Sequence, residues 1–227
     1  ITSGELVTEK IEETSGSITF SLDDKYFFYS KLDEFHRPRK IFRHKLGTNI
    51  KDDELIFEEK SDAFTVGINL SADEKYFFIT TSDHNTSEQY FFPVNEQKPN
   101  PKLIKKRKKG IIYSLNSWDN YFYCHTNENA EDFKIERCKD LLNQNWEIYI
   151  APKNEVLIGG LTFLDNWIIR AEKSNALGKL FVKNINSEIE EELNFSDEKV
   201  IVPGVSLIQR DRNTDLVYLS YSSPKTP

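Results

Sequence analysis

Five copies of one short phrase constrain the fold of this chain more than any other feature. The first copy reads SLDDKYFFYS (Ser21–Ser30) and the second reads SADEKYFFIT (Ser71–Thr80), each an acidic turn followed by aromatic residues. SLNSWDNYFYCH, TFLDNWIIRAE and QRDRNTDLVYLSY repeat the pattern. The aligned positions step by 50, 45, 46 and 50 residues along the chain, at Tyr26, Tyr76, Tyr121, Trp167 and Val217. Self-similarity at such a period is typical of solenoids and propellers.

The pattern inside each unit distinguishes between these two architectures. In the first unit, four runs of strand-forming residues are separated by polar loops: SGSITFS, KYFFYS, KIFRHKLG and DELIFEE. Across the units, the turn between the first two runs is rich in Asp, Asn and Ser, which tolerate turn dihedral angles. No stretch of about 10–15 residues has the apolar spacing of a helix. Four short strands in each unit predict an all-β fold, the β-propeller, with one blade per unit.

The repeat also predicts where the blades lie. Complete units are expected at about 14–60, 61–109, 110–152 and 153–200, and an incomplete fifth unit at 201–227. Residues 1–12 are expected to form the last strand of a preceding blade. Because the chain begins at Ile1 and contains no Met, we interpret it as a single partial propeller domain cut from a longer protein. The aromatic residues are expected to pack between neighbouring blades, and the acidic turns to lie outside the core.

Composition narrows the classes of function. Hydrophobic residues make up 38% of the chain and aromatic residues 13%, which is enough for a sizeable core. The net charge of −7 argues against a nucleic-acid partner. No apolar run of about 18 residues and no signal-peptide pattern occur, so we expect no membrane partner and a cytoplasmic location. Cys124 and Cys138 lack metal-ligand spacing and are expected to be buried thiols in a reducing cytosol.

The charged runs and the histidines are the candidate catalytic or ligand-binding residues of the chain. The basic run Lys105–Lys109 is interpreted as the solvated edge of an outer strand, and a nucleic-acid patch would need interleaved aromatics. The acidic groups Glu58–Glu59 and Glu190–Glu192 are interpreted mostly as solvated. The four histidines lack zinc-ligand spacing: His36, His44, His84 and His125. With no G-x-S-x-G elbow or phosphate loop, the sequence predicts no catalytic, cofactor-binding or metal-binding residue in this chain and no cofactor.

Five segments, in order, resemble one family. They are RPRKIFRHKLGT (Arg37–Thr48), DDELIFEEKSD (Asp52–Asp62), TTSDHNTSEQYF, KKRKKGIIYSLNSWDNYFYCHTN and YSSPKTP (Tyr221–Pro227). They are similar to the propeller of the oligopeptidase B (protease II) members of the prolyl oligopeptidase family of serine peptidases. The likeness covers essentially the whole chain, and its first and last motifs are specific.

The resemblance implies both an architecture and an activity. Members of the family place a seven-bladed propeller over the active site of an α/β-hydrolase domain, and the propeller admits short peptides while excluding folded proteins. Oligopeptidase B-like members cut after Lys or Arg. The catalytic Ser, Asp and His belong to the hydrolase domain, so no catalytic residue is transferred to this chain. The implied partners are that C-terminal domain of the same parent chain and short peptide substrates.

The chain departs from the family pattern at polar positions of the third unit. Ile112 precedes Tyr113 where an acidic residue is usual, Asn116–Ser117 replaces Asp-His, and Asp132–Phe133 replaces Asn-Phe. An orphan propeller that serves as a protein-interaction scaffold is therefore an alternative function. A lectin-like or nucleic-acid-binding propeller is a third hypothesis, which rests only on the aromatic residues and Lys105–Lys109.

Overall fold

The structure, a computed structural model, describes residues 10–194, 202–206 and 218–222. Four four-stranded sheets and one two-stranded sheet follow one another along the chain. The first sheet holds β1 (Thr14–Phe20), β2 (Tyr26–Leu32), β3 (Pro38–Lys45) and β4 (Glu54–Glu58). The second holds β5 (Thr65–Leu70), β6 (Tyr76–Ser82), β7 (Ser87–Pro93) and β8 (Lys102–Lys105). The third holds β9 (Tyr113–Trp118), β10 (Tyr121–Thr126), β11 (Lys134–Cys138) and β12 (Glu147–Ile150). The fourth holds β13 (Leu157–Leu164), β14 (Trp167–Ser174), β15 (Leu177–Asn184) and β16 (Glu190–Glu192). The two-stranded sheet holds β17 (Val202–Ser206) and β18 (Tyr218–Ser222).

Every sheet is an antiparallel meander in which strands adjacent in sequence are hydrogen-bonded neighbours. The chain is therefore an all-β arc of a β-propeller, as the repeat predicts. A 3-10 turn at Ile50–Asp52 is the one helical element in the described ranges. No helix there is long and apolar enough to cross a membrane. The predicted strand at residues 1–12 falls mostly outside the described residues, as does the acidic turn of the fifth unit.

Local turn chemistry explains the hairpin between the first and second strands of the third sheet. Asp119 and Asn120 form a two-residue loop between β9 and β10, and their φ angles are +47° and +61°. A two-residue hairpin loop of this kind needs positive φ at both positions, which Asn and Asp adopt more readily than most residues. The loop fixes the register so that Tyr121 pairs with Trp118 and Cys124 with Leu115.

The aromatic residues of the repeat lie between neighbouring sheets, as predicted. Phe28 and Phe77 join the first and second sheets with ring centroids 4.7 Å apart. Tyr76 and Phe122 join the second and third sheets at 5.0 Å. Side chains alternate along a strand, so one aromatic run supplies rings to both faces of its sheet. Aromatic pairs of this geometry add to the free energy of area burial.

The acidic turns do not all lie outside the core, so that prediction is wrong for the second copy. Asp73 is only 6% exposed. Its Oδ1 accepts hydrogen bonds from the hydroxyls of Ser71 at 2.8 Å and Ser117 at 2.6 Å. The third sheet packs over this turn and supplies Ser117, which satisfies the buried carboxylate. Asp23, the matching residue of the first copy, is half exposed and bonds within its own turn.

Candidate functional site

A cleft of about 390 Å³ opens where the first strands of the second, third and fourth sheets converge. Each of these strands is the free edge of its sheet. Because the blades of a propeller surround a central channel, a cleft bordered by β5, β9 and β13 lies on the axis-facing side of the arc. Its lining is largely neutral and combines hydroxyl, amide and apolar side chains: Asn69, Leu70, Ser71, Ala72, Glu74, Phe78, Thr80, Gln89, Ser114, Leu115, Asn116, Leu161, Thr162 and Phe163.

Hydrogen bonds between the second and third sheets hold this lining in place. The side-chain Oδ1 of Asn116 accepts from the Ala72 backbone N–H at 2.7 Å. The Ser117 backbone carbonyl accepts from the Asp73 N–H at 3.2 Å. Two of the residues that depart from the family pattern, Asn116 and Ser117, thus connect β9 to the turn after β5. Their role in this structure is to fix the position of that turn against the cleft.

A second set of hydrogen bonds runs through Gln89 and Tyr113 behind the cleft. Gln89 accepts from the Leu115 N–H at 2.7 Å through Oε1 and donates from Nε2 to Thr80 at 2.7 Å. The Tyr113 hydroxyl donates to the Lys105 carbonyl at 2.5 Å and accepts from the Gln89 N–H at 2.8 Å. Burial raises the pKa of Tyr113 to about 12. The hydroxyl therefore stays protonated and keeps its donor role.

A smaller cavity of about 120 Å³ adjoins the cleft and is lined in part by His125. The His125 Nε2 lies 2.7 Å from the Ile158 carbonyl oxygen, so this nitrogen carries the proton and donates. The imidazole stacks on Phe133 with centroids 4.6 Å apart. Burial lowers the pKa of His125 below its ordinary value, and the bond to Ile158 opposes that shift. The imidazole is therefore neutral at pH 7 and joins the third sheet to the fourth.

The other sequence candidates lie apart from one another. His44 is fully buried and its Nδ1 lies 2.7 Å from Asp53. His36 and His84 are exposed in loops. Across residues 10–194 and the two later described strands, no group of three or more His, Cys, Asp or Glu side chains is placed to hold a metal ion.

Both cysteines are buried and unpaired, as predicted. Burial raises the pKa of Cys124 to about 12 and that of Cys138 to about 11. The thiols are therefore protonated at neutral pH and behave as small apolar side chains in the core of the third sheet.

The interpretation of Lys105–Lys109 as a solvated edge is wrong for two of its residues. Arg107 extends inward, where its Nη2 lies 2.8 Å from Glu59 and 3.3 Å from Glu88. Its guanidinium also lies 4.1 Å from the Phe64 ring centroid. Burial opposes the charged form of Arg107, but the hydrogen bond and charge of Glu59, with the charge of Glu88, raise its pKa overall.

Lys105 has a similar environment, and Glu59 is also not solvated. The Lys105 ammonium lies 4.7 Å from the Trp146 ring centroid and within 3.8 Å of Glu128 and 3.7 Å of Glu136. Glu59 is only 4% exposed, whereas Glu190–Glu192 are exposed as predicted. Lys106, Lys108 and Lys109 remain exposed. The basic run therefore joins sheets as well as facing solvent.

The sequence motifs predicted neither the cleft nor the buried ion pairs. Glu59 and Arg107 are 48 residues apart, and Ala72 and Asn116 are 44 apart. These separations equal about one repeat. Residues at nearly matching positions of successive units are therefore expected to be neighbours, and this is the sequence signal that could have found these pairs.

The stacked antiparallel sheets define the protein class as a β-propeller domain. A family model described as the N-terminal β-propeller domain of prolyl oligopeptidase matches residues 1–227. The chain belongs to this family, which confirms the resemblance read from its motifs. It is 29% identical over 231 residues to Protease 2 of Moraxella lacunata, and 26% identical over 228 residues to Dipeptidyl aminopeptidase BI of Pseudoxanthomonas mexicana. These alignments cover 100% and 99% of this chain but 33% and 31% of the relatives.

Solved structures support the fold. Oligopeptidase B from Trypanosoma brucei, with covalently bound antipain, superposes with a TM-score of 0.88 at 23% identity, over 96% of this chain and 32% of that one. Oligopeptidase B from Leishmania major gives a TM-score of 0.86 at 18% identity, over 97% and 32%. The chain thus spans about a third of the length of the relatives that it matches.

Proposed function

We propose that this chain is the substrate-gating propeller portion of an oligopeptidase B-like serine peptidase that hydrolyses short peptides after Lys or Arg. The observation that carries the proposal is the family match over all 227 residues, on a chain that spans a third of its relatives. In this proposal the catalytic Ser, Asp and His come from a C-terminal α/β-hydrolase domain of the same parent protein. No residue of this chain breaks a bond, and no cofactor takes part.

The cleft suits a gating role. It lies on the axis-facing side, and apart from Glu74 its described lining consists of neutral polar and apolar groups that suit passing peptide chains of varied sequence. We propose that residues 1–227 act as one partial propeller domain with units at 14–60, 61–109, 110–152, 153–200 and 201–227. The buried free thiols suit the reducing cytoplasm, which is the proposed location.

The proposal is tested on the intact protein that contains this chain. Purified protein is given a fluorogenic heptapeptide with one Arg, the same peptide with norleucine in place of Arg, and a folded domain carrying the Arg heptapeptide in a surface loop. We expect cleavage of the Arg peptide alone, measured as kcat/KM. Cleavage of the folded domain at a similar rate would contradict gating. No cleavage of any substrate would contradict the peptidase assignment and favour an interaction scaffold.

A further inference from the structure

The axis-facing cleft has one feature that the proposed function does not use, which is the charge distribution of its walls. Among the described residues that line it, Glu74 alone is charged. Glu74 is half-buried in the turn between β5 and β6 and has a φ angle of +58°. A carboxylate at an otherwise neutral cleft attracts a cation.

The neighbouring cation does not neutralise Glu74. Lys75 Nζ lies 3.8 Å from Asp73 Oδ2 and donates to Asn120 Oδ1 at 3.1 Å. The Glu74 carboxylate has no ion pair or hydrogen bond to any residue in the described part of the chain. Asp73, in contrast, is buried and accepts from Ser71 and Ser117. Of the two adjacent carboxylates, one is used by the fold and the other is available to a ligand.

The rest of the cleft suits a long aliphatic stem. Phe78, Leu115, Leu161 and Phe163 supply apolar surface, and Asn69 and Ser114 are exposed polar groups at its border. Lys and Arg side chains bury their methylene stems on apolar surface and keep the charged group at a polar rim. A volume of about 390 Å³ accommodates side chains and excludes a folded chain.

We propose that this cleft is a binding site for a basic peptide side chain, with Glu74 as the counterion of its Lys or Arg. The site is a secondary contact for peptides inside the propeller, separate from the bond-breaking residues. The inference rests on the proposed function, because it takes its ligand class, basic peptides, from that assignment. It predicts that such peptides concentrate in the propeller of this protein.

The test uses photo-crosslinking, which needs no bond cleavage. The intact protein is first treated with a serine-directed phosphonate to stop hydrolysis. The probe is a seven-residue Gly-Ser peptide with a central Lys flanked by a diazirine amino acid, and the control probe has norleucine in place of Lys. Attachment sites are mapped by mass spectrometry on the wild type, on Glu74→Gln and on Glu191→Gln. Glu191 is exposed on β16, so Glu191→Gln makes the same chemical change away from the cleft.

We expect the Lys probe to attach within Ser114–Asn116 or Leu161–Phe163, and the norleucine probe to attach there much less. Glu74→Gln should lower attachment of the Lys probe about fivefold, the effect of an ion pair worth about 1 kcal/mol, and Glu191→Gln should not. A second variant, Ser114→Phe, fills the cleft and should abolish attachment. Equal attachment of both probes, or no change in Glu74→Gln, overturns the inference.

This outcome is independent of the hydrolysis assay. If the wild type cleaves Arg peptides but attachment of the Lys probe is the same in Glu74→Gln, the proposed function stands and the cleft assignment fails. If crosslinking depends on Glu74 but no peptide is cleaved, the cleft assignment stands and the peptidase assignment fails.

Discussion

At the scale of single residues, charged side chains between sheets decide how the blades are held together. Arg107 follows β8, the last strand of the second sheet, and its partner Glu59 follows β4, the last strand of the first sheet. One guanidinium therefore connects two blades. A buried ion pair contributes little net free energy, yet removal of one partner leaves an uncompensated buried charge. The loss of Arg107 therefore costs more free energy than the intact pair with Glu59 contributes.

We predict that Arg107→Met destabilises the protein by about 2 kcal/mol, because the buried Glu59 and Glu88 lose their cation. The value lies below the roughly 3–5 kcal/mol typical of fully buried pairs, because the Arg107 side chain is 26% exposed. Urea denaturation measures the free energy of unfolding. Lys106→Met, an exposed change in the same run, serves as the control and should have little effect. Adding Glu59→Gln and Glu88→Gln to Arg107→Met should recover part of the loss, and a single variant as stable as the wild type would contradict the assignment.

His125 predicts how stability depends on pH. Burial lowers its pKa in the folded protein, so the unfolded chain binds a proton first as the pH falls below about 6.5. The stabilising contribution of neutral His125 is complete above that pH and decreases as the pH falls toward the lowered folded-state pKa. His125→Gln should therefore flatten the decline in urea midpoint between pH 7 and pH 5. His84→Gln, at an exposed loop position, should leave the decline as it is, and an identical decline in His125→Gln would refute the role.

At the scale of elements, the hairpins of the first two units share a sequence but differ in surroundings. In both, the Asp that follows the Ser by two residues accepts from that Ser hydroxyl and from the backbone N–H of the following Lys. Only Asp73 also accepts from a residue of the next sheet, Ser117. The two turns therefore form a matched pair, and the hydrogen bond from Ser117 is the main difference at the Asp carboxylate itself.

We predict that Asp73→Ala lowers the free energy of unfolding by about 2 kcal/mol, because it leaves buried donors, including the Ser117 hydroxyl, without an acceptor. Asp23→Ala removes the same local bonds at an exposed turn and should cost much less. Thermal or urea unfolding of both variants measures the difference. Equal losses would mean that the bond to Ser117 contributes nothing to the contact between the second and third sheets.

The same pair shows how far sequence alone reaches. Alternation of aromatic residues and the Asp/Asn turns predict the strands and hairpins, because these depend on neighbours within about ten residues. Burial of Asp73 depends on Ser117, 44 residues away, and no local pattern encodes it. The cleft needs three sheets at once, so its lining was not predictable from motifs. The family resemblance likewise gave the fold but not the contacts of Asn116, which here bonds to the Ala72 backbone.

At the scale of the whole molecule, the local stability of each sheet depends on its position along the arc. The second and third sheets have a packed neighbour on each face, and the largest buried clusters lie on those faces. In the second sheet, Phe77 and Phe92 are each 1% exposed and Ile79 is fully buried. In the fourth sheet, all three residues of β16 are exposed. In a stacked array, each unit is stabilised by its own strands and by its contacts with its neighbours.

We therefore predict a gradient in hydrogen exchange across the arc. Backbone amides of β6 and β7 should exchange slowest, because their opening requires separation of the second sheet from both neighbours. Amides of β16 should exchange fastest among the strands of the four complete sheets, because that edge strand buries no side chain. Peptide-resolved exchange followed by mass spectrometry measures this order. A Phe77→Ala variant, which leaves a cavity between the first and second sheets, should speed exchange in both of those sheets and leave β14 and β15 nearly unchanged. Uniform exchange in all sheets, or equal acceleration of β14 and β15, would instead mean that the arc opens as a single cooperative unit.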